Sequence, residues 1–261
     1  MSADRADAHR RAGAPAVAED TLLGGRVRLV QPAEGYRAAI DPVFLAAAVP
    51  AAAGETVLDV GAGAGAAALC LAARLPEVRV CGVEVAPDLV RLAVGNAGLN
   101  GLGGRVEFMA GNLLRPPARL AAETFDHVMA NPPYLPAGRG HPPPDAARRA
   151  ARVEGAAGLE DWLRFCVAMV RPKGSVTLIH RADRLDAVLA ALRERAGGIV
   201  VFPLWPARGA DAAPAKRVIV RALKGVAAPL RLAPGLVLHE AGGAFTPEAE
   251  AVLRDAGGLT L

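Results

Sequence analysis

The turn Asn131-Pro132-Pro133-Tyr134 is the most specific chemical signal in the sequence. It directly follows the run from Phe125 to Ala130, whose pattern is typical of a strand. The two prolines fix the backbone, so that the side-chain oxygen of Asn131 and the carbonyl of Pro132 can face one point beside the flat Tyr134 ring. Two convergent acceptors suit an exocyclic amine or an amide, because its delocalised lone pair attacks poorly unless both N–H groups are held. The turn therefore predicts chemistry on a planar nitrogen, carried out by positioning and electrostatics.

A glycine-rich loop supplies the second signal. The segment 59–65 reads Asp-Val-Gly-Ala-Gly-Ala-Gly, and its missing side chains let a ligand approach the backbone and the start of the following helix. Alone, this loop is ambiguous, because Gly61, Gly63 and Ala66 also satisfy the dinucleotide pattern G-x-G-x-x-A. A methyl-donor cofactor and a nicotinamide dinucleotide are both open at this point, as is a glycine turn that binds nothing.

Polar residues also follow the next two predicted strands, where ligands bind in sheets of this kind. Glu84 ends the run 80–83, and its carboxylate can accept hydrogen bonds from both hydroxyls of one ribose. Asn112 follows the run 108–111 and either pairs with the edge of an adenine or acts as a turn residue. Combined with the Asn-Pro-Pro-Tyr turn, this arrangement favours S-adenosyl-L-methionine over a dinucleotide. The predicted cofactor-binding residues are Asp59, Gly61, Gly63, Gly65, Glu84, Val85, Asn112 and Leu113.

These residues need a sheet that places the ends of several strands together. Short strand patterns alternate with helical patterns along the middle of the chain, which predicts an α/β fold with a doubly wound, Rossmann-like, seven-stranded sheet. The predicted strands are 56–60, 78–84, 105–109, 125–130 and 174–180, and the predicted helices are 64–75, 87–99, 159–171 and 182–195. Ile199 to Leu204 and Arg217 to Leu223 follow with no helix between them, so we expect an antiparallel pair that closes the sheet edge.

The two ends of the chain predict smaller additions to one domain over residues 21–261. Residues 1–20 lack apolar periodicity and are predicted to be a disordered tail. Within 21–50 we expect a hairpin from Leu22 to Pro32 and then a helix over 42–49, with Asp41 as its N-cap. The catalytic core should cover 55–224. Residues 225–261 should form a small C-terminal cap, with a strand from Leu236 to His239 and a helix from Thr246 to about 255.

Composition limits the partners and the compartment. The formal net charge of +4 favours an anionic partner such as nucleic acid. The three cysteines, Cys70, Cys81 and Cys166, show no C-x-x-C spacing, so we expect buried thiols and no metal site. Every apolar run is broken before the roughly 18 residues that a membrane span needs. The first twenty residues lack the apolar stretch of a secretory signal, so we expect a cytoplasmic protein without membrane contact. The oligomeric state is not predicted.

Together, the glycine loop, Glu84 and the Asn-Pro-Pro-Tyr turn resemble the class I S-adenosylmethionine-dependent methyltransferases that modify amino nitrogens. This resemblance covers roughly residues 55–200. Further segments are similar to the family of bacterial tRNA adenine-N6 methyltransferases that act on the adenosine beside the anticodon of a valine tRNA. Those segments are Gly35 to Asp41, Ala151 to Glu154, Lys216 to Val220 and Leu236 to His239.

The narrower resemblance implies that an adenine is flipped out of its stack and held at Asn131 and Tyr134, with tRNA as the partner. It also implies that Tyr36 and Asp41 help to close the pocket, although Asp41 as a plain helix cap stays open. Many relatives carry Asp where this chain has Asn112. Basic loop residues would contact RNA phosphates, with a solvated surface loop as the alternative. They are Arg139, Arg148, Arg149 and Arg152.

Other activities use related parts of this site. A protein glutamine N5-methyltransferase needs the same two acceptors, but such enzymes usually carry a helical substrate-binding domain before the glycine loop, where this chain has about fifty residues. An rRNA amine methyltransferase and a non-catalytic RNA-binding or S-adenosylmethionine-sensing module also remain open, and a dehydrogenase is disfavoured. His127 lies inside the strand before the turn, where a histidine is more typical of a core residue than of a base.

Overall fold

The computed structural model describes residues 16–34, 37–134, 156–207 and 213–261. Its strands are β1 (Val17–Leu22), β2 (Val27–Pro32), β3 (Thr56–Val60), β4 (Arg79–Glu84), β5 (Val106–Ala110), β6 (Phe125–Ala130), β7 (Val170–Arg181), β8 (Ala196–Ala207), β9 (Arg217–Lys224), β10 (Arg231–Leu232) and β11 (Leu236–His239). The helices are α1 (Asp41–Ala48), α2 (Ala66–Arg74), α3 (Pro87–Leu99), α4 (Leu159–Met169), α5 (Leu185–Leu192) and α6 (Pro247–Leu253). Among the described residues, no helix is long and apolar enough to cross a bilayer.

The central sheet confirms the predicted doubly wound α/β fold. Seven strands follow the order β8-β9-β7-β6-β3-β4-β5, in which β9 runs antiparallel to both β7 and β8 and the other neighbours are parallel. The chain passes outward from β3 through β4 to β5 and then returns to place β6 on the other side of β3. This reversal opens a crevice at the carboxyl ends of β3 and β6, which is where ligands bind in doubly wound sheets.

Two short strands extend this sheet beyond the predicted antiparallel pair. Strands β10 and β11 both run parallel to β8 and share its outer edge. The expectation that β8 and β9 close the sheet was therefore incomplete. Because β8 is twelve residues long, its edge has room for both short strands. Part of the predicted cap thus belongs to the sheet.

The hairpin before the sheet corrects the predicted disordered tail. Strand β1 begins at Val17, which pairs with Pro32 at the far end of β2, so residues 17–20 are ordered in the hairpin. The chain turns at Leu23–Gly25, within the hairpin that was predicted from Leu22 to Pro32. Side chains of β1 alternate between exposed and half-buried, so its order comes from backbone pairing rather than from an apolar stripe. Residues 1–15 lie outside the described residues.

Two asparagines of α3 attach the hairpin to the sheet domain. Asn96 accepts a hydrogen bond from the Val30 N–H at 2.8 Å and donates to the Val30 carbonyl at 2.8 Å and to the Ala64 carbonyl at 2.9 Å. Asn100 pairs in the same way with both backbone groups of Arg28. Residues four apart on a helix are separated by about 6 Å, close to the repeat of alternate residues on a strand. The two amides therefore pair with backbone groups at the edge of β2. Asn96 also holds β2 beside Ala64, the residue after Gly63.

The core lies on both faces of the central sheet. Alternate residues of each strand point to opposite faces, so Val57 packs with α1, α2 and the hairpin, whereas Leu58 packs with α4 and α5. In β6, Met129 belongs to the same core layer as Val57, and Val128 belongs to the same layer as Leu58. These two layers hold β3 and β6 rigidly side by side.

Candidate active site

The carboxyl ends of three adjacent strands bring the predicted site residues together. Val60 pairs with Val83 of β4 on one side and with Ala130 of β6 on the other. Because neighbouring strands lie about 4.8 Å apart, the residues that follow them begin at one level along the sheet edge. The glycine loop, Glu84 and Asn131 therefore meet at the crevice that the strand order creates.

The glycine loop is fixed to β4 and open on one side. The N–H groups of Gly61 and Ala62 donate to the Val83 carbonyl at 2.8 and 3.1 Å. Gly61 packs on a tryptophan of α4, since a Cβ there would lie 2.3 Å from a Trp162 ring carbon. Gly63, with φ of +57°, has no described atom within 4 Å of the position that a Cβ would take. The backbone at Gly63 can therefore be approached closely by a ligand.

Two buried carboxyl groups stand beside this opening. Glu84 is 9% exposed, and its two oxygens accept hydrogen bonds from the N–H groups of Gly63 at 3.0 Å and Ala86 at 2.9 Å. Each oxygen keeps a further lone pair that can accept a ribose hydroxyl. Asp59 is 2% exposed, and its Oδ2 has no hydrogen-bond partner among the described residues. Burial, with the nearby charge of Glu84, raises the pKa of Asp59 to about 7.

This donor set fits a cofactor that carries a ribose and positive charge. Glu84 can accept the ribose hydroxyls, and the ionised form of Asp59 would attract a cationic sulfonium or ammonium group. The open backbone at Gly63 leaves room for the chain between those groups. Among the described residues, no group of three or more His, Cys, Asp or Glu side chains is arranged to hold a metal ion.

The remaining predicted cofactor residues lie at the same edge of the sheet. Asn112 accepts a hydrogen bond from the Leu114 N–H at 2.9 Å. It therefore acts as a turn residue, which is one of the two roles predicted for it. The Gly111 N–H donates to the Glu84 carbonyl at 2.9 Å and holds this turn beside β4. Val85 is 63% exposed and Leu113 is half-buried. The contact of Asn112, Val85 and Leu113 with the cofactor stays a prediction.

The Asn-Pro-Pro-Tyr turn is held by residues from both ends of the chain. The Tyr134 hydroxyl lies 2.6 Å from Asp41 Oδ2 and 2.7 Å from Asn131 Oδ1. The same Asp41 oxygen accepts a hydrogen bond from Arg217 Nε at 2.9 Å. The guanidinium of Arg217 lies over the Tyr134 ring, 4.6 Å from its centroid. Tyr134 is therefore fixed at its hydroxyl and on one face.

Asp41 is not the helix cap that was one of its predicted roles. Helix α1 has Ile40 as its N-cap, and Asp41 is the first helical residue. The carboxylate of Asp41 contacts Tyr134 and Arg217 instead. A helix boundary read from an Asp-Pro pair is accurate to one or two residues, which is the size of this error.

Sequence reasoning missed two residues that surround Tyr134. Burial alone would lower the pKa of Arg217, but Asp41 and Tyr134 outweigh it and raise that pKa. His180 is fully buried, packs edge-on against the Tyr134 ring at 5.4 Å, and neither of its ring nitrogens makes a hydrogen bond of normal geometry with a described residue. Burial lowers the pKa of His180 to about 4, so its ring is neutral. Arg217 had a signal, because it lies in the resemblance segment Lys216 to Val220, whereas His180 had none.

Several predicted substrate residues cannot be placed. Tyr36, Arg139, Arg148, Arg149 and Arg152 lie outside the described residues. Their roles stay predictions.

His127 is confirmed as a core residue whose ring nitrogens both have partners, since they lie 2.8 Å from Ser175 Oγ and 2.8 Å from Glu55 Oε2.

Comparisons with known proteins agree with this geometry. A family model described as a methyltransferase domain matches residues 57–155. The crystal structure of a predicted O-methyltransferase from Agrobacterium tumefaciens is 30% identical, with a TM-score of 0.70, and the match covers 84% of this chain and 98% of that one. The protein belongs to the class I S-adenosylmethionine-dependent methyltransferases. The dehydrogenase alternative is therefore wrong.

Two curated methyltransferases match shorter parts of the chain. A tRNA1(Val) (adenine(37)-N6)-methyltransferase of Porphyromonas gingivalis is 32% identical over 130 residues, which are 49% of this chain and 50% of that protein. A release factor glutamine methyltransferase of Aliivibrio fischeri is 40% identical over 81 residues, which are 31% of this chain and 28% of that protein. The chain thus spans about half the length of the first relative and less of the second.

S-adenosyl-L-methionine is the cofactor of this methyltransferase, and it supplies an electrophilic methyl group on a positively charged sulfur. The residues that would hold it are the buried Glu84 for the ribose and the loop from Gly61 to Gly65 for the remainder. Asp59 lies at the start of this loop, and its ionised carboxyl group would offset the positive charge of the cofactor sulfur. These cofactor-binding groups lie at the ends of β3 and β4. Because β6 is the other neighbour of β3, they are next to Asn131, which follows β6.

Proposed function

We propose that the protein methylates the exocyclic N6 amine of an adenosine in tRNA. The observation that carries this proposal is the convergence of Asp41 and Arg217 on Tyr134. Those two residues come from two of the four segments that resemble the tRNA adenine-N6 family, Gly35 to Asp41 and Lys216 to Val220. Residues from segments that resemble the narrower family therefore contact Tyr134 of the turn.

The residues of the turn supply the chemistry that an aromatic amine needs. The Asn131 side-chain oxygen and the Pro132 carbonyl would accept the two N–H groups as the nitrogen becomes tetrahedral. Tyr134, held by Arg217 on one face, would offer a flat ring surface to the base. These groups act by orientation and by accepting hydrogen bonds, so the protein itself forms no covalent bond in this scheme.

RNA as the partner is supported by the net charge of +4 and by the name of the Porphyromonas relative. We infer that the predicted basic segment from Arg139 to Arg152 contacts phosphates. A protein glutamine is the second candidate, because the Aliivibrio relative is 40% identical over 81 residues. An amide nitrogen would need the same two acceptors but would not need a flat platform.

A substrate panel tests this proposal. The protein would be incubated with methyl-labelled S-adenosylmethionine and, in parallel, unmodified tRNA, unmodified rRNA and a glutamine-containing release factor peptide. We expect label in tRNA and little in the other two. Label in the peptide or in rRNA would replace the proposed substrate. Cofactor binding without transfer to any of the three would favour the non-catalytic module.

A further inference from the structure

The three glycines of the cofactor loop have different neighbours. A Cβ at Gly61 would lie 2.3 Å from Cη2 and 2.8 Å from Cζ3 of Trp162. A Cβ at Gly65 would lie 2.7 Å from Cζ of Phe108. At Gly63, which stands between them, no described atom lies within 4 Å of the same position. The outer two glycines therefore give their side-chain space to aromatic rings, and the middle one leaves its space open.

The two rings reach the loop from opposite faces of the sheet. Trp162 belongs to α4 and packs with the core layer that contains Leu58. Phe108 belongs to β5 and packs with the layer that contains Val57. These two rings form an aromatic clamp around the loop. Because each ring is backed by a close-packed layer, the loop cannot shift toward either face without displacing packed side chains.

A fourth glycine makes room for the ring of Phe108. Gly82 is buried inside β4 and pairs with Phe108 of β5. A Cβ at Gly82 would lie 2.3 Å from Cδ1 and 2.6 Å from Cε1 of that ring. Glycine inside a strand weakens the strand and often marks the close approach of another group. Here that group is Phe108, whose ring crosses over β4 to reach Gly65.

We propose that Trp162 and Phe108 are positioning residues for the cofactor, which act by holding the glycine loop in the conformation that exposes Gly63. The N–H of Gly63 donates to Glu84 at 3.0 Å, so the same conformation places the carboxylate assigned to the ribose. Loss of either ring should weaken the binding of S-adenosylmethionine by about threefold or more, because ordering the loop would then oppose binding. Neither effect depends on which nitrogen accepts the methyl group.

A double-mutant cycle tests the Trp162 side of the clamp. Gly61→Ala places a Cβ against the ring and also strains a backbone with φ of +71°. In the unmodified protein it should weaken S-adenosylmethionine binding by about tenfold or more, measured by isothermal titration calorimetry. In Trp162→Leu, which lacks the outer ring atoms, the same change should cost at least about threefold less. Because the backbone strain is common to both backgrounds, equal fold-losses would contradict the role of Trp162.

A second cycle tests the Phe108 side without backbone strain, because the φ of Gly82 lies outside the left-handed region. Gly82→Ala should displace the ring and weaken S-adenosylmethionine binding by about tenfold. Phe108→Val removes the ring atoms that the new methyl group would meet, so Gly82→Ala should cost at least about threefold less in that background. An affinity that Gly82→Ala leaves unchanged would contradict the role of Phe108.

Two controls separate positioning from general damage. Gly63→Ala adds a methyl group at a φ of +57° but meets no ring, so its cost in affinity should be equal in the unmodified protein and in Trp162→Leu. Trp205→Leu removes another half-buried indole, on β8, which β9, β7 and β6 separate from β3. It should lower the melting temperature and leave the affinity nearly unchanged. Background-dependent costs at Gly63, or a loss of affinity in Trp205→Leu like that in Trp162→Leu, would count against the clamp.

A spectroscopic measurement decides the matter if the glycine variants do not fold. The chain has two tryptophans, so in Trp205→Phe the tryptophan emission comes from Trp162. Titration with S-adenosylmethionine should change that emission, with a midpoint equal to the dissociation constant from calorimetry. In Trp162→Phe, where Trp205 remains, the emission should stay constant. Constant emission from Trp162, or equal fold-losses in both backgrounds of both cycles, would overturn the proposal.

Discussion

At the scale of single residues, the site depends on a carboxylate at each of two positions. Glu84 holds the glycine loop through the Gly63 N–H, and Asp41 holds the catalytic turn through the Tyr134 hydroxyl. Each acid fixes a backbone or a side chain that would contact a ligand. A substitution at Glu84 should therefore affect the cofactor and spare the substrate, and a substitution at Asp41 should do the reverse.

Glu84→Gln should weaken the binding of S-adenosylmethionine about tenfold or more, while the fold is retained. Both carboxylate oxygens accept backbone N–H groups, from Gly63 and Ala86, and a glutamine would turn its own NH₂ group against one of these donors. Isothermal titration calorimetry measures the affinity. Glu107→Gln, an exposed acid on the next strand, is the matched control. An unchanged affinity in Glu84→Gln would contradict the assignment of this carboxylate to the cofactor.

The residue scale also shows how far sequence reasoning reaches. Asn131, Tyr134 and Glu84 were predicted because each lies at or just after the end of a strand and has a side chain with an evident chemical use. Arg217 and His180 were missed as site residues, since they reach Tyr134 from strands β9 and β7, which are distant in the chain. Their role depends on tertiary contacts that no local spacing records.

At the scale of elements, hydrophobic periodicity and the residues at helix and strand ends predicted most of the fold. Helix α3 and strands β3 and β6 have the predicted bounds, because each is bordered by a proline, a glycine or a change of hydrophobic period. Only the last residue of β1, Leu22, was within the predicted hairpin, because half of the residues of β1 are polar and its order comes from pairing with β2. The predicted helix 182–195 is shorter, since Ala182–Arg184 form a 3-10 turn and β8 begins at Ala196.

The attachment of the hairpin to α3 gives a prediction at this scale. Asn96→Ala removes three hydrogen bonds from a residue that is 1% exposed and leaves backbone groups of Val30 and Ala64 without their partner. We expect the free energy of unfolding to fall by about 2–4 kcal/mol. Urea denaturation monitored by circular dichroism measures this loss.

Asn100→Ala is the internal comparison for that experiment. Asn100 makes similar contacts with Arg28 but is half-buried, so water can replace part of what is lost. Its loss should be about 1 kcal/mol. Equal losses at the two positions, or no loss at Asn96, would show that the hairpin is held in some other way.

At the scale of the whole molecule, the buried His180 should make stability depend on pH. Its pKa is lowered by burial from 6.5 to about 4, so the folded protein binds this proton less readily than the unfolded chain does. The stabilising contribution of the neutral ring is complete above about pH 6.5. It is lost progressively as the pH falls from about 6.5 to about 4.

His180→Phe should remove this dependence while keeping an aromatic ring against Tyr134. Between pH 7.5 and pH 5, the unmodified protein should lose about 2 kcal/mol more of its unfolding free energy than the variant does. Urea titrations at both pH values provide the comparison, in which the other titrating groups largely cancel. Equal losses in the two proteins would mean that His180 keeps its ordinary protonation in the folded state.

The central claim concerns one atom, the exocyclic nitrogen of an adenine, and one side chain, that of Asn131. The most direct measurement is mass spectrometry of nucleosides from unmodified tRNA, after incubation with S-adenosylmethionine and either the unmodified protein or Asn131→Ala. The account predicts N6-methyladenosine with the unmodified protein and a rate about 10²–10³-fold lower with the variant, whose cofactor affinity is nearly unchanged. A different methylated nucleoside, or equal rates for both proteins, would contradict it.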